Sequence, residues 1–197
     1  MLNKAASRIT AYFVARGILN EELAPWSIYA LQRRVLTWVS SFFLFLLGAC
    51  AADAPSSFLF LLCFFSLRKR AGGYHAARLQ NCLFLSALLF LGELCLLYPL
   101  LLKCADGFVA GGVLLTSFSI WWTGPTAPPT LHLTPAALEE NRRRMGRILL
   151  IMSLFLCIFA FVPPLFPLAC AGALGLFSVL LSLIVAKIFH QEECKNE

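Results

Sequence analysis

The chain of 197 residues is 60% hydrophobic and only 13% charged, with a formal net charge of +6. A composition this apolar excludes an ordinary soluble domain and is typical of a membrane protein. The 16 Lys and Arg residues flank apolar segments instead of forming one basic face interleaved with aromatic side chains, so nucleic-acid binding is not expected. We expect an all-α, polytopic membrane protein that forms a single domain, 1–197.

The first twenty residues, 1–20, predict an amphipathic helix. Apolar side chains recur there at helical spacing and oppose three basic ones, Lys4, Arg8 and Arg16. Such a helix lies on a membrane surface or packs against the protein's own loops, and the sequence leaves both open. The segment lacks the uninterrupted apolar core and the small-residue cleavage site of a secretory signal peptide.

Six apolar segments follow, each a candidate transmembrane helix in a lipid bilayer, because about 20 apolar residues cross its hydrocarbon core. We place them near 35–52, 54–67, 82–102, 108–122, 148–166 and 168–189. The second is short for a span, which would draw the polar stretch after it toward the lipid headgroups. The third contains Glu93, which is either functional or hydrogen-bonded to a neighbouring helix.

The distribution of basic residues predicts the orientation of these segments. With six crossings, 15 of the 16 Lys and Arg residues lie on the side of both termini and of the loops 68–82 and 123–147, and only Lys103 lies opposite. By the positive-inside rule that side is the cytoplasm, where thiols stay reduced. We therefore expect cytoplasmic termini and a cytoplasmic 68–82 loop.

The eight cysteines do not suggest a metal site. They lie mostly within apolar runs, with no CxxC pair and no Cys/His group of metal-ligand spacing. A disulfide framework is not indicated either. We expect neither a metal nor a cofactor.

The polar stretch 68–82 holds residues that can do chemistry. A thiol is a useful nucleophile near neutral pH when a base removes its proton, and His is the usual base. Cys82 and His75 supply that pair. In one straight helix, the seven-residue separation would advance the axis by about 10.5 Å, too far for a direct hydrogen bond.

The chain must therefore bend between the two residues. Gly72 and Gly73 permit backbone conformations that other residues resist, so they allow His75 to lie on a loop. We expect Asn81 to cap a helix that begins at Cys82. The positive end of that helix would favour the thiolate.

The same stretch carries a family motif. Arg68-x-x-Ala-Gly-Gly-Tyr-His-Ala, with Cys82 seven residues after the His, resembles the signature of the accessory gene regulator protein B (AgrB) family, membrane peptidases of bacterial peptide quorum sensing. The proline-containing loop 124–129 before the basic run 142–144 is a second, weaker match. Length and hydrophobic pattern match across nearly the whole chain. The loop departs from the family in its extra prolines and His132, so we carry no function onto it.

The resemblance implies a cysteine endopeptidase of the bacterial cell membrane. Its substrate would be a short AgrD-like precursor peptide, whose C-terminal tail is removed and whose upstream part is cyclised. Cys82 would attack the scissile carbonyl with His75 as base, and a thiol or hydroxyl of the substrate would release the acyl group as a thiolactone or lactone. Arg68, Gly72 and Gly73 would support the active-site loop.

Other readings of the sequence remain open. The main alternative is a small non-enzymatic transporter or scaffold in which His75 and Cys82 are incidental. A channel has little support, because the spans lack a polar stripe. Some basic residues are candidates to bind an acidic peptide tail, or else they only anchor the topology: Arg70, Arg78, Arg142 and Arg143. A homo-oligomer is also left open.

Overall fold

The computed structural model describes residues 2–72, 79–125 and 135–188. Seven helices account for most of this part of the chain: α1 (Leu2–Ala15), α2 (Ala24–Ala51), α3 (Ala54–Ala71), α4 (Leu79–Gly92), α5 (Asp106–Thr123), α6 (Pro135–Ala160) and α7 (Phe166–Ile188). Helix α4 continues through a π-helical turn, Glu93–Leu97, into a last α-helical turn, Tyr98–Leu101. The described residues contain no β-strand, so the all-α prediction is confirmed.

Among the described residues, three helical segments are long and apolar enough to cross a membrane, by length and composition: Glu21–Ala51, Phe84–Leu101 and Pro163–Ile188. The predicted spans 35–52, 82–102 and 168–189 fall on them. The predicted spans 54–67, 108–122 and 148–166 fall on α3, α5 and α6 instead. Polar residues lower the mean hydropathy of these three helices. Helix α3 ends with three basic residues, α5 contains Asp106 and several Ser and Thr residues, and an arginine-rich run occupies the first half of α6.

Two compact units divide the chain, 1–44 and 45–197. The first contains α1, which confirms the predicted N-terminal helix but ends it at Ala15, before a turn at Gly17 with φ of 66°. Along α2 of this unit, Trp26, Trp38 and Phe42 are exposed, as suits a lipid-facing helix. This division does not test the expectation of a single domain, because a domain is defined by independent folding. That expectation stays a prediction.

The second unit has its core where α3, α5, α6 and α7 meet. Eleven buried side chains form that core: Cys63, Leu67, Ala71, Val113, Ile120, Met145, Leu149, Leu156, Leu176, Val179 and Leu183. Small residues bring α7 close to its neighbours. A Cβ at Gly175 would lie 2.6 Å from the Phe60 carbonyl oxygen of α3, and one at Gly172 would collide with the Leu156 side chain of α6.

We expect Gly175→Ala to destabilise the protein. An alanine gains about 1 kcal/mol over glycine in helix propensity, but overpacking costs about 1–3 kcal/mol, and here the obstacle is backbone that moves only if α3 moves. Thermal unfolding in detergent should show a lower midpoint. Gly111→Ala is the matched control, because its Cβ would meet nothing within 4 Å, and it should be neutral or stabilising. A higher midpoint for Gly175→Ala would refute the close approach.

Helices α3 and α4 form an antiparallel hairpin within this unit. The Phe60 and Phe90 rings meet edge to face with centroids 4.8 Å apart. Further along, the Tyr98 hydroxyl donates to Asp53 Oδ2 at 3.1 Å and lies 2.9 Å from Ser56 Oγ. The end of α3 and the start of α4 therefore lie at the same end of the hairpin.

Two expectations about helix ends are wrong. Helix α4 begins at Leu79, so Asn81 lies inside its first turn and is not the N-cap of a helix starting at Cys82. The sequence Leu79–Gln80 favours helix strongly enough to extend it. The second expectation concerns the predicted span 148–166. Helix α6 ends at Ala160 instead of reaching 166, because prolines cannot continue the hydrogen-bond ladder and Pro163–Leu165 forms a separate turn.

Candidate functional site

Four helix segments of the second unit meet at one end, which we call the basic end: the C-terminal turns of α3, α5 and α7 and the first half of α6. Lys187 Nζ of α7 donates to the Thr123 carbonyl of α5 at 3.0 Å. Arg70 Nη1 of α3 donates to Asn141 Oδ1 of α6 at 3.4 Å. These contacts gather basic side chains from several helices around one surface.

Glycine ends α3 at this surface. Gly72 has φ of 75°, a left-handed conformation that residues with a Cβ resist, and its N–H donates to the Arg68 carbonyl at 3.1 Å. Gly72 thus has a backbone conformation for which glycine was expected, whereas the bend predicted between His75 and Cys82 stays a prediction. Gly73, His75 and Arg78 lie outside the described residues, so the pairing of His75 with Cys82 stays a prediction.

The Phe60–Phe90 contact relates positions on α3 to positions on α4. Phe60 lies eleven residues before the end of α3, and its partner Phe90 lies eleven residues after the start of α4. Counted along straight helices from that contact, position 82, three residues after Leu79, falls level with Arg68, three residues before Ala71. Cys82 is the fourth residue of α4 and so closes its first turn, where the positive end of the helix dipole still acts.

Arg68 is held against its own helix. Its guanidinium carbon lies 5.9 Å from the centre of the Phe64 ring, within the range of a cation–π contact. The side chain is half-buried. Arg68 therefore presents a fixed positive charge close to the end of α3.

The arginine run of α6 is partly neutralised within its own helix. Glu139 pairs with Arg143 at 3.2 Å and Glu140 pairs with Arg144 at 2.6 Å, both four residues apart. The hydrogen bond from Arg144 lowers the pKa of Glu140, so this carboxylate stays charged near neutral pH. Arg142 instead lies over the Trp121 ring of α5 at 5.9 Å.

Two open grooves flank this run. The first, of about 480 Å³, lies between α3 and α6 and is lined by Arg70, Glu140, Arg144, Arg147, Ile148 and Ile151. The second, of about 740 Å³, lies between α5 and α6 and includes Trp121, Arg142, Arg143 and Leu150. Both combine cationic rims with apolar walls, which suits a peptide that carries acidic and apolar side chains.

Sequence reasoning missed some of these residues. Glu139 and Glu140 escaped notice although their spacing to Arg143 and Arg144 is a readable helical ion-pair signal. Nothing in the sequence indicates that Trp121 lies under the Arg142 guanidinium. For Glu93, the hydrogen-bonded alternative is confirmed, since Ser178 Oγ of α7 donates to its Oε2 at 2.6 Å.

No metal centre adjoins the grooves in the part of the chain that the structure describes. Within residues 2–72, 79–125 and 135–188, His, Cys, Asp and Glu side chains do not gather in a group of three that could hold an ion. The described side chains at the basic end supply guanidinium, ammonium and carboxylate groups.

These features define a helical membrane protein whose second unit carries a basic surface at one end of its helices. The family model for accessory gene regulator B matches residues 6–185, nearly the whole chain, and the protein belongs to that family. Membership implies a role in processing the autoinducer peptide of the accessory gene regulator system. No curated protein and no solved structure matches the chain at a significant level.

Proposed function

We propose that this protein is a cysteine endopeptidase that cleaves the C-terminal tail of an AgrD-type precursor and cyclises the remainder. The observation that supports the proposal most is the antiparallel register of α3 and α4: counted along straight helices from the Phe60–Phe90 contact, position 82 falls level with Arg68. His75 lies outside the described residues and is proposed as the base because it is three residues after Gly72 in the sequence and matches the family motif.

The chemistry proceeds in two acyl transfers. His75 takes the thiol proton as Cys82 Sγ bonds to the scissile carbonyl carbon, and the peptide C–N bond breaks as His75 returns the proton to the leaving amine. The tail departs and the acyl group remains on sulfur as a thioester. A substrate thiol or hydroxyl then attacks that carbonyl, which closes the ring and releases Cys82 as thiol.

The second transfer needs no external energy source. A thioester and a thiolactone have nearly the same free energy, so ring closure by a thiol is close to balanced. The first transfer exchanges a peptide bond for a thioester and is uphill, and removal of the released tail would draw it forward. Groups that could stabilise the oxyanion include backbone N–H groups at the start of α4.

We also propose six membrane crossings with the basic end in the cytoplasm. Helices α3, α5 and α6 would supply the three crossings beyond the segments with the strongest apolar composition. Support comes from the second unit, where the arginines of α3 and α6 and Lys187 lie at one end, while Lys103 follows α4 at the other. The positive-inside rule then assigns the basic end to the cytoplasm.

This orientation predicts a labelling pattern. In intact cells, a membrane-impermeant maleimide should label the native Cys104, which is partly exposed beside Lys103. A cysteine introduced as Glu139→Cys on the exposed face of α6 should react only after the cells are opened. Cys104→Ser serves as the control for the first signal. Labelling at position 139 in intact cells, measured in a Glu139→Cys variant that also carries Cys104→Ser, would overturn the topology.

The grooves at the basic end are proposed to hold the acidic tail of the precursor. Arg70, Arg142 and Arg143 line them, and Arg78, which lies outside the described residues, stays a candidate from the sequence. Of the lining residues, Arg143 is already paired with Glu139, so we expect Arg70 and Arg142 to contribute more. The competing role is topological anchoring alone.

Kinetics separate tail binding from anchoring. We expect Arg70→Gln with Arg142→Gln to raise KM for the precursor about 3- to 10-fold with kcat nearly unchanged, because lost charge contacts weaken binding without touching the nucleophile. Added salt should raise KM of the wild type more than that of the variant. Lys103→Gln, at the opposite end, is the control. If KM and its salt dependence are unchanged, the arginines only anchor.

A further inference from the structure

Glu93 sits in an unusual place for a carboxyl group. It opens the π-helical turn Glu93–Leu97, lies within an apolar segment long enough to cross a membrane, and is only 4% exposed. Ser178 Oγ of α7 donates to its Oε2, while Oε1 is buried without a hydrogen-bond partner among the described residues. A leucine would avoid that unsatisfied oxygen, so what the carboxyl adds is a directional contact between α4 and α7.

The π-helical turn brings two sets of contacts onto one face of α4. In a regular helix, Tyr98 would lie about 80° around the axis from Phe90, since eight residues exceed two turns of 3.6. The extra residue held in the π-helical turn rotates Tyr98 back by about 100°, which leaves it within about 20° of Phe90 around the axis. Phe90 can therefore pack on Phe60 while Tyr98 reaches Asp53.

The same register links Glu93 to the start of the helix. Cys82 precedes Glu93 by eleven residues along Leu79–Gly92, which is regular α-helix. Eleven residues make slightly more than three full turns, so the two positions share one face of α4 within about 20°. The rotation that aims Glu93 at Ser178 is thus the rotation that sets where position 82 faces.

We propose that the Glu93–Ser178 hydrogen bond is a rotational lock on α4 that positions Cys82 for the acyl transfers. The inference rests on the proposed function for its catalytic meaning. The lock itself concerns only the rotation of α4 about its axis, which does not depend on whether Cys82 is catalytic. Glu93 acts through Cys82 and lies about 16 Å from it along the axis, so it is a positioning residue.

The test compares variants that break the bond with one that keeps it. Glu93→Leu and Ser178→Ala remove the bond, and Glu93→Gln retains an oxygen that accepts from Ser178. The matched control is Ser153→Ala, which removes the buried 2.6 Å bond between Ser117 and Ser153 without touching α4. Two quantities are measured: kcat and KM for precursor cleavage, and the rate at which Cys82 is alkylated by N-ethylmaleimide, followed by peptide mass spectrometry.

We expect Glu93→Leu and Ser178→Ala each to lower kcat about 10- to 100-fold with KM little changed, since small misplacements of a reacting group have effects of this size. Each should also change the Cys82 alkylation rate, and the double variant should add nothing to either single one. Glu93→Gln should behave like the wild type, and Ser153→Ala should leave the alkylation rate unchanged.

The outcomes separate the lock from the proposed function. An unchanged alkylation rate in properly inserted Glu93→Leu and Ser178→Ala proteins, additive effects in the double variant, or an equal effect of Ser153→Ala would overturn the lock. Alkylation needs no catalysis, so it still tests the lock if Cys82 proves dispensable for cleavage. Loss of cleavage in Cys82→Ala together with unchanged alkylation in the lock variants would leave the peptidase assignment standing without the lock.

Discussion

Cys82→Ala should abolish cleavage of the precursor peptide while the protein still accumulates in the membrane. An alanine cannot form the acyl–sulfur bond, and in enzymes that act through a covalent intermediate, loss of the nucleophile removes nearly all of the rate enhancement. Cleavage should fall below detection when wild type and variant are coexpressed with the precursor at matched protein levels. Cys82→Ser should be close to inactive too, because a hydroxyl is far harder to deprotonate than a thiol.

The other seven cysteines provide the control for this result. A catalytic pair requires one particular thiol, whereas cysteines that only pack are replaceable at some cost in stability. Cys63 and Cys170 are buried, so their replacement by Ala should lower yield, but cleavage should stay detectable. Retained cleavage in a well-expressed Cys82→Ala protein would contradict the assignment of the nucleophile.

His75→Ala should reduce the rate by about 10²- to 10⁴-fold, the usual contribution of a general base. The residual activity should rise with pH. Without a base, the reactive thiolate forms only as the solution approaches the ordinary pKa of a free thiol, about 8.5, so its fraction increases nearly tenfold per pH unit below that value. Rate profiles from pH 6 to 9 measure this.

The wild type supplies the comparison for His75. Its activity should already rise near the ordinary pKa of a histidine, about 6.5, where the imidazole becomes able to accept a proton. A residual activity in His75→Ala that is flat with pH, or a rate equal to that of the wild type, would mean that His75 is not the base.

Local signals in the sequence predicted local structure well. The consecutive glycines at 72 and 73 indicated a bend, and Gly72 has the left-handed conformation that a bend requires. The apolar runs identified the helices. The start of α4 was misplaced because the polar residues Gln80 and Asn81 were taken as a boundary, although helix propensity at Leu79 and Gln80 extends the helix past them.

Contacts between distant parts of the chain could not be predicted in this way. Glu93 and Ser178 are 85 positions apart, and Arg70 and Asn141 are 71 apart, so no periodicity in the sequence relates them. The π-helical turn also has no pattern of its own, since it arises from the packing of Phe90 and Tyr98 on α3. The basic end is therefore a property of the folded unit, even though each arginine in it was visible in the sequence.

The central claim is that Cys82 carries the acyl group during processing. The most direct measurement is mass spectrometry of the protein after coexpression with an AgrD-type precursor whose ring-closing Cys or Ser is replaced by Ala. Because ring closure is then blocked, the acyl-enzyme should accumulate. We predict a tryptic peptide containing Cys82 with the added mass of the precursor minus its tail, and its loss on treatment with hydroxylamine. Tail release with Cys82 unmodified, or an acyl group on another residue, would contradict the account.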